Sequence, residues 1–324
     1  MPAQLLDGKK VAAYIERQVK EHLQELAAHG VVPRLGIVLI GENEESAIYV
    51  SRKKKKCAEL GIDSHVLECR SGVAADEVEK LIREWSDDPN YHGILIQLPL
   101  PDPIGREKYR IFDAIKAEKD VDAVSGEVVK HFYRGEEGLF LPCTPRGVLN
   151  LLRYYNIDTE GKHVVVTGRN DITGKPMMMI LGGRLANATV TWCHRHTRKL
   201  GEYTRRADIL VSCIGQPGII RKDMVKPGAV VIDVGIRRTP AGIQGDVDFE
   251  PVAEVVSHIT PVPGGTGPLT VAALMQNLVD AARYSLGWRK ADYTIAPEAT
   301  NAGAPARLPP GSGQAPLAKE IANG

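Results

Sequence analysis

Ser46, Tyr49 and Lys53 are spaced by three and four residues, so a helix over 44–60 would set all three on one face. An aromatic ring and an amine then share one surface. Lys53 sits in the run Arg52-Lys-Lys-Lys-Lys56, where positive neighbours and partial burial would ready an amine for acid/base work; the other reading is a solvated basic helix face. Gln97 closes the apolar stretch 93–98 and would place an amide at the carboxyl end of a strand, within reach of a lysine amine. Asp120 and Asp122 follow the next helical segment. A carboxylate there would accept two hydrogen bonds from the edge of a guanidine-like heterocycle, although either aspartate would also suit a turn cap.

A second group of residues suits phosphate. The apolar stretch 163–167 runs into Gly168-Arg169-Asn170-Asp-Ile-Thr173-Gly174-Lys175-Pro176 and then a Met-rich helical pattern. A glycine directly after a strand lets the backbone approach a pyrophosphate, a helix N-terminus offers unpaired amides, and Pro176 fits a first helical turn. The spacing is not G-x-G-x-x-G and also suits a plain strand-to-helix turn. The next strand pattern ends at Cys193-His194-Arg195-His196-Thr197, without the acidic residue that commonly holds the ribose of NAD. Arg169 and Arg195 would instead converge on the 2′-phosphate of NADP; otherwise Arg195 is solvated surface. His194 and His196 have no acidic partner nearby, which speaks against a metal.

The elements that must position these residues alternate. A long amphipathic helix over 9–28 precedes strands at 34–40, 64–69 and 93–98, separated by helices at 44–60 and 74–85. Continuous apolar strands divided by helices imply a parallel sheet covered on both faces, with ligands at the strands' carboxyl ends. The alternation restarts with strands at 163–168, 188–193, 209–213 and 230–234, and a final apolar helix covers 270–285. The expected fold is two α/β domains around a cleft: residues 1–143 plus 271–289 carrying the chemistry, and a Rossmann-type unit over 144–270. In 291–324, Ala, Pro and Gly make up 18 of 34 residues, so 290–324 is expected to be a disordered tail.

Composition excludes several classes. Forty-one Lys and Arg against 40 Asp and Glu give a net charge of +1, so no global field favours nucleic acid or an anionic membrane. Apolar runs stop far short of the roughly 20 residues of a membrane span, and no secretory signal pattern opens the chain. A cytoplasmic location is expected. Five scattered cysteines argue against disulfides and zinc, and Cys143 would be a packing residue rather than a nucleophile.

Taken in order, these stretches resemble the bifunctional methylenetetrahydrofolate dehydrogenase/methenyltetrahydrofolate cyclohydrolase family over about residues 5–285. The resemblance is carried by Lys53 with Tyr49 four residues before it, Gln97-Leu-Pro-Leu-Pro101, Lys119-Asp-Val-Asp122, Pro142-Cys-Thr-Pro145, Gly215-Gln216-Pro217, Gly245-Asp-Val247 and Pro261-Val-Pro263-Gly264-Gly265-Thr-Gly-Pro268. It implies a homodimer that binds tetrahydrofolate derivatives on the first domain and NADP, rather than NAD, on the second. Tyr49 would stack on the aminobenzoyl ring, Asp122 would hold the pterin, and Lys53, tuned by Gln97, would be the catalytic amine. Ser46 and the segment Pro263, Gly264 and Gly265 would complete the folate site. Gly168, Arg169, Asn170, Gly174, Lys175, Pro176, His194, Arg195, Thr197, Gly215, Gln216, Pro217, Gly235 and Ile236 would contact the cofactor.

Several positions depart from the family pattern: Ala123 stands for Gly, Asn170 for Ser, Thr173 for Val, Arg195 for Ser and Thr266 for Val. They leave room for a paralogue with dehydrogenase activity only, or for a non-catalytic nucleotide sensor. A two-domain amino-acid or hydroxy-acid dehydrogenase would need no Tyr-x3-Lys face.

Overall fold

The computed structural model describes residues 2–134, 140–240, 242–290 and 295, with only the backbone of Phe132. The tail expected over 290–324 therefore lies outside the described residues, apart from Lys290 and Ile295.

Helix α1 (Gly8–Ala28) starts where the Asp7 carboxylate accepts from the Lys9 amide at 2.8 Å, and it buries Val11, Ile15, Val19, Leu23 and Leu26 on one stripe. Strand β2 (Arg34–Ile40) is apolar along nearly its whole length because both faces are covered. Helix α2 (Glu44–Leu60) is capped by Asn43, whose side chain accepts from the Ser46 amide, and stops at Gly61 in the left-handed region. Strands β3 (Asp63–Cys69) and β4 (Gly93–Ile96), with helix α3 (Ala75–Asp87) between them, flank β2 in a three-stranded parallel sheet ordered β3-β2-β4. Short helices α4 (Lys108–Phe112) and α5 (Gly126–Tyr133) follow.

Helix α6 (Cys143–Tyr154) leads into the second sheet. Its strands are β5 (His163–Thr167), β6 (Thr189–Cys193), β7 (Ile209–Ser212), β8 (Val230–Asp233) and β11 (His258–Ile259), joined by β1 (Gln4–Leu5) at the edge. All pair in parallel in the order β1-β11-β8-β7-β5-β6. The strand order reverses at β5, so the crevice beyond the carboxyl ends of β5 and β7 is a ligand position. Helices α7 (Gly174–Gly182), α8 (Leu200–Thr204) and α9 (Phe249–Ala253) and the hairpin of β9 (Arg237–Thr239) and β10 (Gly242–Gln244) complete this half.

Helix α10 (Thr266–Ser285) packs against both α1 and α6 and is buried almost all round. Its hydrophobic side chains belong to one core that also holds Ile37 of β2 and Val164 of β5. The two sheets thus share a spine. Two features went beyond the sequence reading: β1 joins the second sheet, and α10 starts four residues earlier than the apolar pattern indicated.

Candidate active site

The spine holds the carboxyl ends of β4, β5 and β7 across a cleft of about 370 Å³. Tyr49, Lys53, Gln97 and Asp122 line one wall, and Asn170, Gly215, Gly235 and Ile236 line the other. Thr266 and Thr270 of α10 form part of the lining between them.

On the first wall, α2 carries Lys53 to the end of β4, where its amine donates to Gln97 Oε1 at 3.0 Å. Gln97 is buried, and its own amide nitrogen donates to the Leu98 carbonyl at 2.8 Å, which fixes the orientation of the acceptor oxygen towards Lys53. Ser46 is buried on the same helix face, within hydrogen-bond reach of the Leu98 carbonyl, and does not line the cleft. The two aspartates divide their work. Asp120 Oδ2 accepts from the Val124 and Ser125 amides at 2.9 and 2.7 Å, which leaves Asp122 half-buried at the cleft. Complete burial pushes the Asp120 carboxyl up to about 6 against those amide bonds. Asn277 of α10, fully buried, donates to the Val121 and Leu141 carbonyls and so pins both segments that border Asp122.

On the second wall, Gly168 and Gly174 bracket the turn after β5. A Cβ on Gly168 would lie 2.3 Å from the Cys213 carbonyl oxygen, and one on Gly174 would lie 2.5 Å from the Gly168 carbonyl oxygen, so neither position admits a side chain. Asn170 Oδ1 accepts from the Thr173 and Gly174 amides, and the Trp192 indole donates to the Gly168 carbonyl at 2.7 Å. After β6, the Thr197 hydroxyl accepts from the His194 amide, leaving Arg195 and His196 exposed at the rim. A glycine cradle between two strand ends, with an exposed guanidinium at the rim, fits a phosphorylated dinucleotide. Among the described residues, no group of three or more His, Cys, Asp or Glu side chains is disposed to hold a metal ion.

The loops of this wall rest on two buried carboxylates. Asp246 accepts from the Ser212 hydroxyl and from the Ile214 and Gln216 amides, each at 2.7 Å. Asp233 accepts from the amides of Gly235, Asp246 and Val247. Burial pushes Asp233 up to about 7, with the neighbouring Asp246 charge adding to it.

Residues 6–122 match the catalytic domain of tetrahydrofolate dehydrogenase/cyclohydrolase, and residues 142–286 match its NAD(P)-binding domain. The chain belongs to the tetrahydrofolate dehydrogenase/cyclohydrolase family. It is 49% identical to the bifunctional protein FolD of Moorella thermoacetica over 284 residues, which is 87% of this chain and all of that one. The crystal structure of the bifunctional FolD of Campylobacter jejuni is 44% identical, with a TM-score of 0.83 over 87% of this chain and 99% of that one. The Trypanosoma brucei FolD, complexed with NADP cofactor and inhibitor, is 34% identical, with a TM-score of 0.83 over 88% of this chain and 99% of its own.

Not every residue singled out from the sequence lines the cleft of this family member. Arg169 lies with Asn170 on an adjoining cavity beside Leu98, Lys175 is bound to Asp171, and Pro176 is buried in α7. Gln216 enters through its amide to Asp246, and Pro217 faces a separate cavity beside Gly245. Gly264 and Gly265 sit against Lys9 and Gly8 at the start of α1, next to Pro263. Thr144, Thr173, Thr266 and Thr270 line the cleft without having been singled out as contacts from the sequence. Lone threonines carry no spacing signal. Asp246 was visible only as part of Gly245-Asp-Val247, with no role attached. Cys143 also lines the cleft, with its thiol pushed well up by burial and by the Asp122 carboxylate, in keeping with packing rather than nucleophilic attack. All five cysteines are free.

Proposed function

We infer that the protein oxidises 5,10-methylenetetrahydrofolate to 5,10-methenyltetrahydrofolate with NADP and hydrolyses the product to 10-formyltetrahydrofolate, in one-carbon metabolism. The observation that carries this reading is the shared cleft: the Lys53–Gln97 pair and the nucleotide half's Asn170, Thr173, Gly215 and Gly235 wall the same space. A product of one step is then already in place for the next.

Tyr49 stacks on the aminobenzoyl ring of the substrate, and the Asp122 carboxylate accepts from the pterin edge. Gly168, Gly174 and Gly215 give the cofactor backbone its close approach, Asn170 and Thr173 hold the turn, and Gly235 with Ile236 borders the nicotinamide. His194, Arg195 and Thr197 take the adenosine end, with Arg195 at the 2′-phosphate. NADP, when bound, supplies the hydride acceptor. Loss of hydride from the methylene bridge leaves a resonance-stabilised methenyl cation, so that step needs orientation rather than a strong base. Hydrolysis differs, because a proton must leave the attacking water and another must reach the departing ring nitrogen. Lys53 moves these protons, and Gln97 holds its amine at the reacting carbon.

The working form in this reading is a cytoplasmic homodimer without nucleic-acid or membrane partners. Among the described residues, no helix is long and apolar enough to cross a membrane. The test follows methenyltetrahydrofolate absorbance with purified protein. Formation from methylenetetrahydrofolate with NADP, together with decay of added methenyltetrahydrofolate above the buffer rate, supports the reading. Formation alone would reduce it to a dehydrogenase, and neither activity would leave a nucleotide-binding protein.

A further inference from the structure

Asp171 belongs to neither set of residues described above, yet three donors converge on its carboxylate. Oδ2 accepts from Lys108 Nζ at 2.6 Å and from the Tyr109 hydroxyl at 2.7 Å, while Oδ1 accepts from Lys175 Nζ at 2.5 Å. Lys108 and Tyr109 open α4 in the first domain, on the chain segment that leaves β4 just after Gln97. Asp171 lies in the turn after β5, between Asn170 and Ile172, which both line the main cleft. The bonds to Lys108 and Tyr109 therefore cross from one domain to the other. The shared spine of α6 and α10 joins the domains elsewhere, and this contact supplies a further tie beside the cleft.

We propose that Asp171 is a cross-cleft clasp: by binding α4 to the cofactor turn it fixes the separation over which hydride passes, making it a positioning residue for the dehydrogenase step alone. The physical case rests on geometry. An isolated exposed ion pair contributes little, but here a quarter-exposed carboxylate collects two ammonium groups and a phenol, and Lys108 is only one-third exposed. Burial pushes the Asp171 carboxyl up, and the donors from Lys108, Lys175 and Tyr109 outweigh it, holding the group well below the ordinary carboxylate range. The clasp is thus fully charged at neutral pH. Hydride transfer is sensitive to separation, and misplacement by about 1 Å can cost up to a hundredfold in rate. Hydrolysis of methenyltetrahydrofolate draws on Lys53, Gln97 and Asp122, which all sit on the first domain.

This proposal rests on the bifunctional reading, and the experiment separates the two. Both activities are measured in the wild type, Asp171→Asn, Lys108→Met and the double variant. In parallel, spin labels placed at Lys80→Cys in α3 and Glu202→Cys in α8, diluted into unlabelled protein, report the distance between domains. The clasp predicts that Asp171→Asn lowers dehydrogenase kcat about fivefold, keeps hydrolysis within about twofold, and broadens the label distance. It also predicts that Lys108→Met does the same and that the double variant is no worse than either single one. Equal loss of both activities, no loss of either, multiplying effects in the double variant, or an unchanged distance would overturn it. A wild type without either activity would instead contradict the functional reading, and the label distance would still decide the clasp.

Discussion

Lys53 on helix α2 and Gln97 at the end of β4 lie 44 residues apart in sequence and meet at 3.0 Å, with the amide oxygen of Gln97 accepting from the lysine amine. Because Gln97 is itself anchored through its amide nitrogen to Leu98, the pair is a rigid support. Gln97→Leu keeps the volume and removes the acceptor. Methenyl hydrolysis is expected to fall at least tenfold in kcat with a KM within about threefold, as for a lost orienting hydrogen bond. A matching rise in KM alone would place Gln97 in folate binding.

Arg195 stands exposed at the rim of the nucleotide half, with its Nε on His196 at 3.2 Å. Arg195→Ser removes a guanidinium fork suited to phosphate and should weaken NADP about tenfold while changing NAD less than twofold. Titrations of both dinucleotides check this. Equal effects on the two cofactors would remove Arg195 from the 2′-phosphate.

Much of this arrangement was legible in the sequence because periodicity and strand ends carry it. Tyr49 and Lys53 share a face by helical spacing, Gln97 closes an apolar strand, and Gly168 follows one. The division of labour between Asp120 and Asp122 was not legible, since both types cap turns and bind ligands equally well until the Val124 and Ser125 amides are seen to take Asp120. The Asp171 clasp was equally hidden: its first-domain partners lie 63 and 62 residues earlier, and no local pattern links them. Sequence spacing reports neighbours on one element, whereas these contacts depend on how two domains meet.

Ala123 adopts φ 57, in the left-handed region that favours glycine, and is buried. The left-handed conformation costs a non-glycine residue roughly 1–2 kcal/mol, whereas removing a buried methyl loses about 0.8 kcal/mol and a glycine adds unfolded-state entropy. These terms nearly cancel. Ala123→Gly should therefore change the unfolding free energy by no more than about 1 kcal/mol, whereas Ala123→Val, branched at Cβ, should lose about 2 kcal/mol or more. Urea unfolding of the three proteins reads the difference.

Asp120 sets a pH dependence. Its folded carboxyl is pushed up to about 6 from a model-compound value of 3.8, so the folded state keeps the proton longer than the unfolded state does. Its stabilising contribution is complete below about pH 4 and is lost as pH rises through about 6, on the order of 3 kcal/mol in all. Asp120→Asn cannot lose that proton. The stability of the wild type relative to Asp120→Asn should fall between pH 4 and 6 and stay level above pH 7, as measured by urea unfolding across that range. A flat difference would show that the carboxyl ionises normally in the fold.

The account depends most on Lys53 as the group that moves protons during hydrolysis. Lys53→Met keeps the length of the side chain and removes the amine, so the decisive measurement is the decay of methenyltetrahydrofolate by this variant beside its equilibrium binding of tetrahydrofolate. Hydrolysis reduced about a hundredfold or more, with binding within about threefold, is the predicted result. Hydrolysis at the wild-type rate would contradict the assignment.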